Sequence, residues 1–347
     1  MKKNNIFRLV ISMILSVSMI FSMVACKGSA DTAEADTTNT ANKELEEFNV
    51  VLDWYPNAVH CFIYNAIEKG YYAEEGLKVN ILFPSNPNDG MSLPAVGKAD
   101  AGIYYLQSAV ETIANQGLEA KAIGTIVQKP LNIILSIKEK GIEKPSDLSG
   151  KTIGYSGQPS SEVLVKSIVE SGGKTMDDIK LVDVGFDLIN SMTTGNVDAT
   201  IGAMANHEVP AMKEAGFDVN YFYINDNTDI PEYYELVFMA GDKLIKENPE
   251  KLQKFMRASK KGFEDMKNNP EESLKILLAN QNKENFPLVE SVEKESINML
   301  LPLMETESAE FLSQDNEIWQ KNIDWMLEKG IISKSIKAED IVVNLNK

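Results

Sequence analysis

The amino-acid sequence predicts an α/β protein built as two lobes, with a hinge and a ligand cleft between them. Apolar segments of strand length alternate with amphipathic segments of helix length from residue 48 to about residue 240, the pattern of successive βα units. Apolar runs at 131–137 and 236–240 lie where the chain would cross to a second lobe and return. From residue 248 onward the pattern is helical. We therefore expect a double crossover, an inserted second lobe and a helical C-terminal part.

Residues 1–25 have the pattern of a secretory signal peptide. Basic residues open the chain, an apolar run extends to Val24, and a polar stretch follows Cys26. The alternative is a transmembrane helix, because the run is about long enough to span a bilayer. The junction between Ala25 and Cys26 favours cleavage and resembles a bacterial lipobox, with Met23 where leucine is usual. Cys26 is therefore the predicted lipid attachment site.

The predicted domain organisation follows from the composition of the segments after this leader. Residues 26–47 are rich in Thr, Ala, Asn, Asp and Glu and nearly free of large apolar residues, which predicts a flexible, lipid-anchored linker. Lobe 1 is predicted at 48–133 and 235–347, and lobe 2 at 134–234. Lobes of this length are large enough to bury ordinary cores.

Lobe 1 is predicted to begin with alternating strands and helices. Its first helix carries Val59, Phe62, Ile63, Ala66 and Ile67 at helical spacing, which gives it one apolar face. The predicted strands cover 48–52, 77–83, 99–105 and 120–128, and the predicted helices cover 58–72, a short segment ending at 96, and 108–115.

Lobe 2 is predicted to repeat this alternation after the crossing at 131–137. A short capped turn begins at 144–148. The predicted strands cover 152–155, 180–184, 199–203 and 218–224, and the predicted helices cover 160–170, 187–193 and 209–214. The strand order in sequence is that expected for parallel sheets, and 236–240 returns the chain to lobe 1.

The C-terminal part contains three apolar stripes at helical spacing. Such stripes pack in a core far more often than they contact a cofactor. They consist of Leu252, Phe255, Met256, Phe263 and Met266; of Leu274, Leu277 and Leu278; and of Trp319, Ile323, Met326 and Leu327. We expect all three to be core.

Charge and cysteine content limit the classes of function. The formal net charge is −17, and such a surface repels phosphate backbones and anionic lipid head groups. Nucleic-acid binding is therefore not expected, and membrane contact is assigned to the lipid anchor. If Cys26 is lipidated, Cys61 is a lone thiol, which predicts a small core residue.

The segment after the first predicted strand is dense in polar and aromatic residues. Asp53, Trp54, Asn57 and His60 fall where a strand should give way to a helix, which is where α/β folds bind ligands. Trp54 offers a flat face for a heteroaromatic ring, or it packs between the lobes. Asp53 can accept hydrogen bonds from exocyclic amines, or it caps the next helix. Asn57 matches the edge of a pyrimidine, or it is the N-cap.

A second candidate segment, Asn206 to Glu208, follows the predicted strand 199–203. The Glu208 carboxylate can pair with an amine and a ring nitrogen of a heteroaromatic ligand. Its alternative role is an acid in the first turn of a helix, where the helix dipole favours it. His60 and His207 give only a weak zinc signal, because no cysteine or dense acid cluster accompanies them. No metal site is predicted.

Motifs spread over most of the folded region carry a family resemblance. They lie at 52–57 with His60, 68–77, 99–105, 148–155, 195–199, 206–208 and 233–238. Together they resemble the SsuA/THI5-like (NMT1) family, whose members are solute receptors of ABC importers with the type II periplasmic-binding-protein fold. The Asp-Trp-x-Pro-Asn and Asn-His-Glu motifs are similar to those of receptors for the formyl-aminopyrimidine precursor of thiamin. Met204 and Ala205 stand where those receptors usually carry Tyr-Trp.

The resemblance implies a monomeric, extracytoplasmic receptor held at the outer face of the cytoplasmic membrane through Cys26. Its partners would be a small-molecule ligand and ABC permease subunits. A sulfonate or riboflavin-type solute is the alternative ligand, and a sulfonate site would use amides and hydroxyls near Ser156 and Gly157. A pyrimidine site would instead use Trp54 and Glu208.

Tyrosines near the predicted cleft complete the candidate set, with ordinary contacts between the lobes as their alternative role. The predicted ligand-binding residues are Asp53, Trp54, Asn57, His60, Tyr104, Tyr105, Ser156, Gly157, Asn206, Glu208 and Tyr234.

An enzyme is the alternative class of function, because the pyrimidine synthases of thiamin biosynthesis share the fold implied by the resemblance. In those synthases a lysine binds pyridoxal phosphate and a histidine follows four residues later. The corresponding stretch, 104–108, contains neither residue, and 233–239, which matches their cysteine-rich cluster, contains no cysteine. No positioned acid–base pair stands out either. No catalytic residue and no cofactor are therefore predicted.

Overall fold

The computed structural model describes residues 44–158, 160–285 and 287–345. The predicted signal peptide, the lipid attachment site Cys26 and most of the predicted linker lie outside these residues. Within the described ranges, no helix has both the length and the apolar character needed to cross a membrane.

The described residues form two five-stranded sheets. In chain order the strands are β1 (Glu46–Val51), β2 (Leu77–Leu82), β3 (Ala101–Tyr104), β4 (Ala120–Val127), β5 (Asn132–Ile137), β6 (Thr152–Tyr155), β7 (Lys180–Asp183), β8 (Ala199–Met204), β9 (Val219–Tyr223) and β10 (Leu236–Gly241). The first sheet has the order β2-β1-β3-β10-β4, and the second has the order β7-β6-β8-β5-β9. This confirms the predicted α/β fold with two crossings.

The expectation of parallel sheets is only half right, because both sheets are mixed. β1 pairs in parallel with β2 and β3, and β6 pairs in parallel with β7 and β8. β10 is antiparallel to β3 and β4, and β5 is antiparallel to β8 and β9. Two strands of one sheet run parallel when a helical crossover connects them. β5 and β10 instead enter their sheet directly from the other sheet, and each runs antiparallel to its neighbours.

Helices cover the sheets and make up the C-terminal part. They are α1 (Cys61–Glu68), α2 (Tyr71–Glu74), α3 (Asp89–Ala95), α4 (Leu106–Glu111), α5 (Ser161–Ser171), α6 (Leu188–Thr193), α7 (Glu208–Glu214), α8 (Asp242–Glu247), α9 (Pro249–Asn268), α10 (Pro270–Ala279), α11 (Glu290–Met304), α12 (Asn316–Glu328) and α13 (Ala338–Ile341). Short 3₁₀ turns at Ala58–His60, Lys138–Lys140, Pro145–Leu148 and Met176–Asp178, and a π-helical turn at Thr112–Gln116, complete the set.

The first predicted helix, 58–72, is broken into separate pieces. A 3₁₀ turn precedes α1, and Gly70 separates α1 from α2 with φ of +77°. This left-handed conformation favours glycine and ends the helix. Two residues predicted on apolar faces, Ile67 and Leu327, are instead 37% and 36% exposed, because each lies at the end of its helix, beyond the neighbouring elements.

The first sheet packs on α1 and α9, which form the centre of the larger core. The rings of Phe48 and Phe255 stack with their centroids 4.2 Å apart. Cys61 is fully buried and unpaired, and burial raises the pKa of its thiol. The structure therefore places Cys61 where a small apolar residue would pack, as predicted.

The two crossings between the sheets run side by side and are joined by Glu235. Its Oε2 accepts hydrogen bonds from the backbone N–H groups of Leu131 at 2.5 Å and Asn132 at 2.8 Å. Burial outweighs these bonds and raises the pKa of Glu235 to about 7. Glu235, which precedes β10, therefore holds the start of β5, and its hydrogen bonds connect the two crossings.

Candidate functional site

A cavity lies between the two sheets, where the carboxyl ends of β1, β3 and β8 meet. We call it the central cavity. Its walls are formed by Asp53, Trp54, Asn57, Val59, Tyr105, Leu131, Gly202, Met204, Asn206, His207, Glu208 and Leu236. The strand ends bring both sequence-predicted segments together, as expected for ligand sites of α/β sheets.

Asp53 is held in one orientation by two neighbours. Its Oδ1 lies 3.0 Å from His60 Nε2, and its Oδ2 accepts a 3.1 Å hydrogen bond from the Tyr105 hydroxyl. The backbone N–H of Asn57 donates to His60 Nδ1 at 3.2 Å. Nδ1 is therefore the acceptor of the imidazole, and Nε2 carries the proton that is donated to Asp53. His60 is fully buried behind Asp53 and acts on the cavity only through it.

Tyr105 is a hydrogen-bond donor at this site. Burial, followed by the nearby Asp53 carboxylate, raises the pKa of its hydroxyl well above the ordinary value. The hydroxyl therefore keeps its proton and donates it to Asp53. The Asp53 oxygens retain lone pairs for a further donor.

Asn57 has the capping role that was the alternative to ligand binding. Its side-chain oxygen accepts from Val59 N–H at 3.0 Å, and its amide nitrogen donates to the Tyr55 carbonyl at 3.2 Å. It is the N-cap of the 3₁₀ turn and also forms part of the cavity wall. Its amide is thereby fixed by the local fold.

His207 lies between two buried carboxylates. Its Nδ1 is 3.1 Å from Glu208 Oε1, and its Nε2 is 3.4 Å from Glu293 Oε1. Burial on its own lowers the pKa of His207, but Glu208 and Glu293 outweigh burial and raise it to about 10. His207 is therefore an imidazolium at neutral pH, and both of its N–H groups are directed at carboxylates.

The same carboxylates also bind backbone groups, one of them close in sequence and the other distant. Glu208 Oε2 accepts from Met204 N–H, and Glu293 Oε2 accepts from Ala58 N–H, each at 2.7 Å. Glu208 is the first residue of α7, so its alternative role in the first helical turn is also realised. The network joins the end of β8, the 3₁₀ turn after β1, and α11.

Asn206 supplies a further acceptor. Its Nδ2 donates to Ser296 Oγ at 2.8 Å, while its buried Oδ1 has no hydrogen-bond partner among the described residues. An unpaired buried carbonyl oxygen is costly unless a ligand or water satisfies it. The central cavity thus offers acceptors from Asp53, Asn206 and Glu208, and the described wall contains no lysine or arginine.

The remaining walls are apolar or aromatic, and Trp54 forms part of them. It lines the cavity, and its ring meets Phe186, from the loop after β7, edge-on with centroids 4.5 Å apart. Trp54 therefore packs between the lobes as well as facing the site. The cavity volume is about 30 Å³, which holds about two water molecules. A ring-sized ligand requires Trp54 or a whole lobe to move.

Five of the sequence-predicted residues do not line this cavity, namely His60, which lies behind Asp53, and Tyr104, Ser156, Gly157 and Tyr234. Tyr104 is the last residue of β3, and its fully buried side chain donates from its hydroxyl to Asn88 Oδ1. The Tyr234 hydroxyl accepts from Asp315 N–H. Ser156 lies behind Gly202, and Gly157 lies beside the Asp183 carboxylate. Their roles in ligand binding stay predictions without support from the cavity geometry.

Sequence reasoning overlooked Glu293, the charge of His207, and the wall residues Gly202 and Met204. One signal for Glu293 was present. It lies among Val292, Ser296, Ile297 and Leu300, the other residues of the buried face of α11, and an acid on an apolar helix face calls for a buried partner. Within the described residues, no group of three or more His, Cys, Asp or Glu side chains is placed to hold a metal ion.

Comparisons with known proteins point to one group. The profile of the family described as "NMT1/THI5 like" matches residues 57–273. A formylaminopyrimidine-binding protein of Halalkalibacterium halodurans is 42% identical over 305 residues, which is 87% of this chain and 92% of that relative. A 4-amino-5-hydroxymethyl-2-methylpyrimidine phosphate synthase of Candida albicans is 31% identical over 234 residues, 64% of this chain and 68% of that relative.

Solved structures show the same fold. The alkanesulfonate-binding protein SsuA of Xanthomonas axonopodis pv. citri, solved with bound MOPS, superposes with a TM-score of 0.68 and 14% sequence identity. The superposition covers 87% of this chain and 99% of that one. It confirms the predicted periplasmic-binding-protein fold.

Proposed function

The chain belongs to the NMT1/THI5-like family, and from that premise we propose that it is a solute receptor for a thiamin-related aminopyrimidine. The relative from Halalkalibacterium halodurans is a formylaminopyrimidine-binding protein, and its alignment with this chain covers 305 residues. We assign the same class of ligand, a formyl-aminopyrimidine, to the central cavity of this chain.

The observation that carries this assignment is the set of hydrogen-bond acceptors in the cavity. Asp53, Asn206 and Glu208 present oxygens to a space bounded by Trp54 and Tyr105. An aminopyrimidine offers the complement, because its exocyclic amine and its formamide N–H are donors and its ring is flat and apolar. The alternative, a ligand rich in acceptors, would leave Asn206 Oδ1 unpaired and would lie against the Asp53 and Glu208 carboxylates.

The same acceptors argue against a sulfonate ligand. A sulfonate needs donors, and the only described cation on the wall is His207, whose N–H groups are directed at Glu208 and Glu293. Ser156 and Gly157, which would supply donors to a sulfonate, lie outside the described wall. Placing an anion beside these carboxylates would also be repulsive.

A receptor is favoured over an enzyme by the residues of the cavity. The described wall contains no lysine to form a Schiff base and no cysteine. The acidic side chains of the wall, Asp53 and Glu208, make hydrogen bonds that fix their orientation. A binding site needs acceptors that are oriented in this way. Some relatives are named as pyrimidine phosphate synthases, and those of Candida albicans and Uromyces fabae are 31% and 27% identical to this chain, against 42% for the formylaminopyrimidine-binding relative.

The assignment is tested by isothermal calorimetry of the formyl-aminopyrimidine and of an alkanesulfonate. We expect the pyrimidine to bind and the sulfonate not to bind. Glu208→Gln keeps the shape but replaces an acceptor by a donor, so it should weaken binding by about 1–3 kcal/mol. Glu290→Gln, an exposed acid on α11, is the matched control. Binding of the sulfonate alone, or wild-type affinity in a folded Glu208→Gln protein, would show that the assignment is wrong.

The proposed location is the outer face of the cytoplasmic membrane, with ABC permease subunits as the partner. This part of the proposal is supported by the leader sequence and by Cys26. Mass spectrometry of the protein extracted from membranes should find an N-terminal peptide that begins with a diacylglyceryl-modified Cys26. An intact leader, or a soluble product that starts elsewhere, would contradict the lipid anchor.

A further inference from the structure

A second and larger concavity adjoins the central cavity, and we call it the outer groove. Its volume is about 370 Å³, within the range of about 300–1,000 Å³ typical of small-molecule sites. It is lined by Trp54, Tyr55, Pro56, Asn57, His207, Ala211, Glu214, Ala215, Pro287, Leu288, Val289, Val292 and Glu293. The loop after β1, helix α7 and the start of α11 therefore form it together.

Three residues, Trp54, Asn57 and His207, belong to both the central cavity and the outer groove. They form the partition between the two spaces. Asn57 is fixed by its capping hydrogen bonds, and His207 is fixed by its two carboxylates.

Trp54 is the member of this partition that is held by packing alone, including contacts with the apolar cluster that contains Ala205 and Val209. No hydrogen bond joins its indole to another described residue, and its ring contacts are with Tyr55 and Phe186. Rotation of Trp54 therefore breaks no hydrogen bond within the described part of the chain. It would open the central cavity, with a volume of about 30 Å³, into a groove of about 370 Å³.

The lining of the groove selects an uncharged, apolar group. Most of its residues are aliphatic or aromatic. Its two acids are already engaged, since Glu293 binds His207 and Ala58 N–H, and Glu214 accepts from Ser291 Oγ at 2.9 Å. An anionic substituent would be repelled by these two carboxylates, whereas an apolar ring would be removed from water by the aliphatic and aromatic lining.

We propose that the protein accepts aminopyrimidines extended by an apolar or aromatic substituent, with the pyrimidine in the central cavity and the substituent in the outer groove. The inference rests on the proposed function, because it assumes that the pyrimidine binds in the central cavity. The side chain of Trp54 rotates out of the partition and so makes room for the substituent. The ligands of the protein therefore include aminopyrimidines that are larger than the formyl-aminopyrimidine.

The test compares two amides of one amine, 4-amino-5-aminomethyl-2-methylpyrimidine. The formamide is compact, and the benzamide carries a phenyl ring in place of the formyl hydrogen. Calorimetry on the wild-type protein should give dissociation constants within about tenfold of each other. Ala211→Leu adds bulk to the groove from α7, and it should weaken the benzamide at least tenfold while leaving the formamide within about twofold. Lys213→Leu, on an exposed position of the same helix outside the groove, should change neither.

The outcomes separate this inference from the proposed function. Tight formamide binding without benzamide binding would overturn the extension and leave the pyrimidine receptor standing. Equal weakening of both amides by Ala211→Leu, or no effect on either, would also overturn it, provided that thermal unfolding shows the variant to be folded. Failure of both amides to bind the wild-type protein would overturn the proposed function and the extension together.

Discussion

His207 is the residue on which the electrostatics of the site depends. It is the cation between Glu208 and Glu293, and its side chain is 23% exposed. Without its charge, two carboxylates would face each other in a poorly solvated space, which is costly. Its proton therefore stabilises the native arrangement of β8, the 3₁₀ turn and α11.

This arrangement predicts a loss of stability at alkaline pH. The pKa of His207 rises from 6.5 to about 10 on folding, so the folded protein holds the proton more tightly than the unfolded chain. The stabilisation is complete below pH 6.5 and is lost as the pH rises through about 10. We expect the free energy of unfolding, measured with urea, to fall by a few kcal/mol (order of magnitude) across this range.

A His207→Gln variant separates this effect from other titrations. Glu111 and Glu235, whose pKa values are raised to about 7, lose their protons in the early part of the range, and the variant retains both. The variant should therefore show a flatter pH dependence above about pH 8. An unchanged slope would show that His207 does not carry the effect.

Trp54 is predicted to contribute stacking energy to ligand binding. Trp54→Ala should weaken the formyl-aminopyrimidine by about 1–3 kcal/mol, the range for base–aromatic stacking. Phe186→Ala removes the contact between the lobes but leaves the Trp54 ring in place. If calorimetry gives both variants the same loss, lobe packing rather than stacking is the role of Trp54.

At the scale of elements, α1 and α9 pack closely against each other at Gly262. Gly262 lies against α1, where a Cβ atom would be 2.1 Å from the Phe62 carbonyl oxygen and 2.9 Å from Ala66 Cβ. Asn65 also donates to the Gly262 carbonyl at 3.1 Å. The two helices are therefore locked at this point, and α1 carries His60 at its N-terminal end.

Gly262→Ala should force these helices apart. Overpacking of this kind costs about 1–3 kcal/mol, which is expected as a lower urea midpoint with an unchanged m-value. Lys261→Ala removes an exposed ion pair with Glu74 and should cost less than about 1 kcal/mol. Equal effects of the two substitutions would mean that the contact at Gly262 relaxes without strain.

At the scale of the whole molecule, the two sheets are joined by two crossings tied at Glu235, and the cavity between them is small. A volume of about 30 Å³ does not admit a pyrimidine ring without movement. The described state is therefore a closed one, and entry of the ligand requires the sheets to separate or Trp54 to turn. Hinge motion between two packed lobes is the common solution.

Closure by the hinge predicts a change in overall size. Small-angle X-ray scattering should give a smaller radius of gyration with saturating formyl-aminopyrimidine than without it, because a ligand that contacts both lobes favours conformations in which the lobes hold it over those in which they stand apart. The same measurement with an alkanesulfonate is the control and should show no change. An unchanged radius with bound pyrimidine would favour movement of Trp54 alone.

Local sequence patterns were sufficient to predict the fold and the two segments that meet at the cavity. Apolar periodicity gives most strands and helices, and the rule that ligands bind at strand ends selects Asp53, Trp54 and Glu208 without any knowledge of contacts. Family resemblance of the same motifs predicted the class of ligand, and the comparisons support it.

The tertiary structure decided what depends on distant partners. Glu293 meets Ala58 across 235 positions of sequence, and no local pattern records that pairing. The charge of His207 follows from two carboxylates, one of them from α11. Of the adjacent tyrosines, Tyr105 bonds Asp53 and lines the cavity, whereas Tyr104 bonds Asn88. The directions of β5 and β10 were likewise set by how the chain passes between sheets. Sequence determines local conformation directly, whereas charge states and cavity walls arise from groups that only folding brings together.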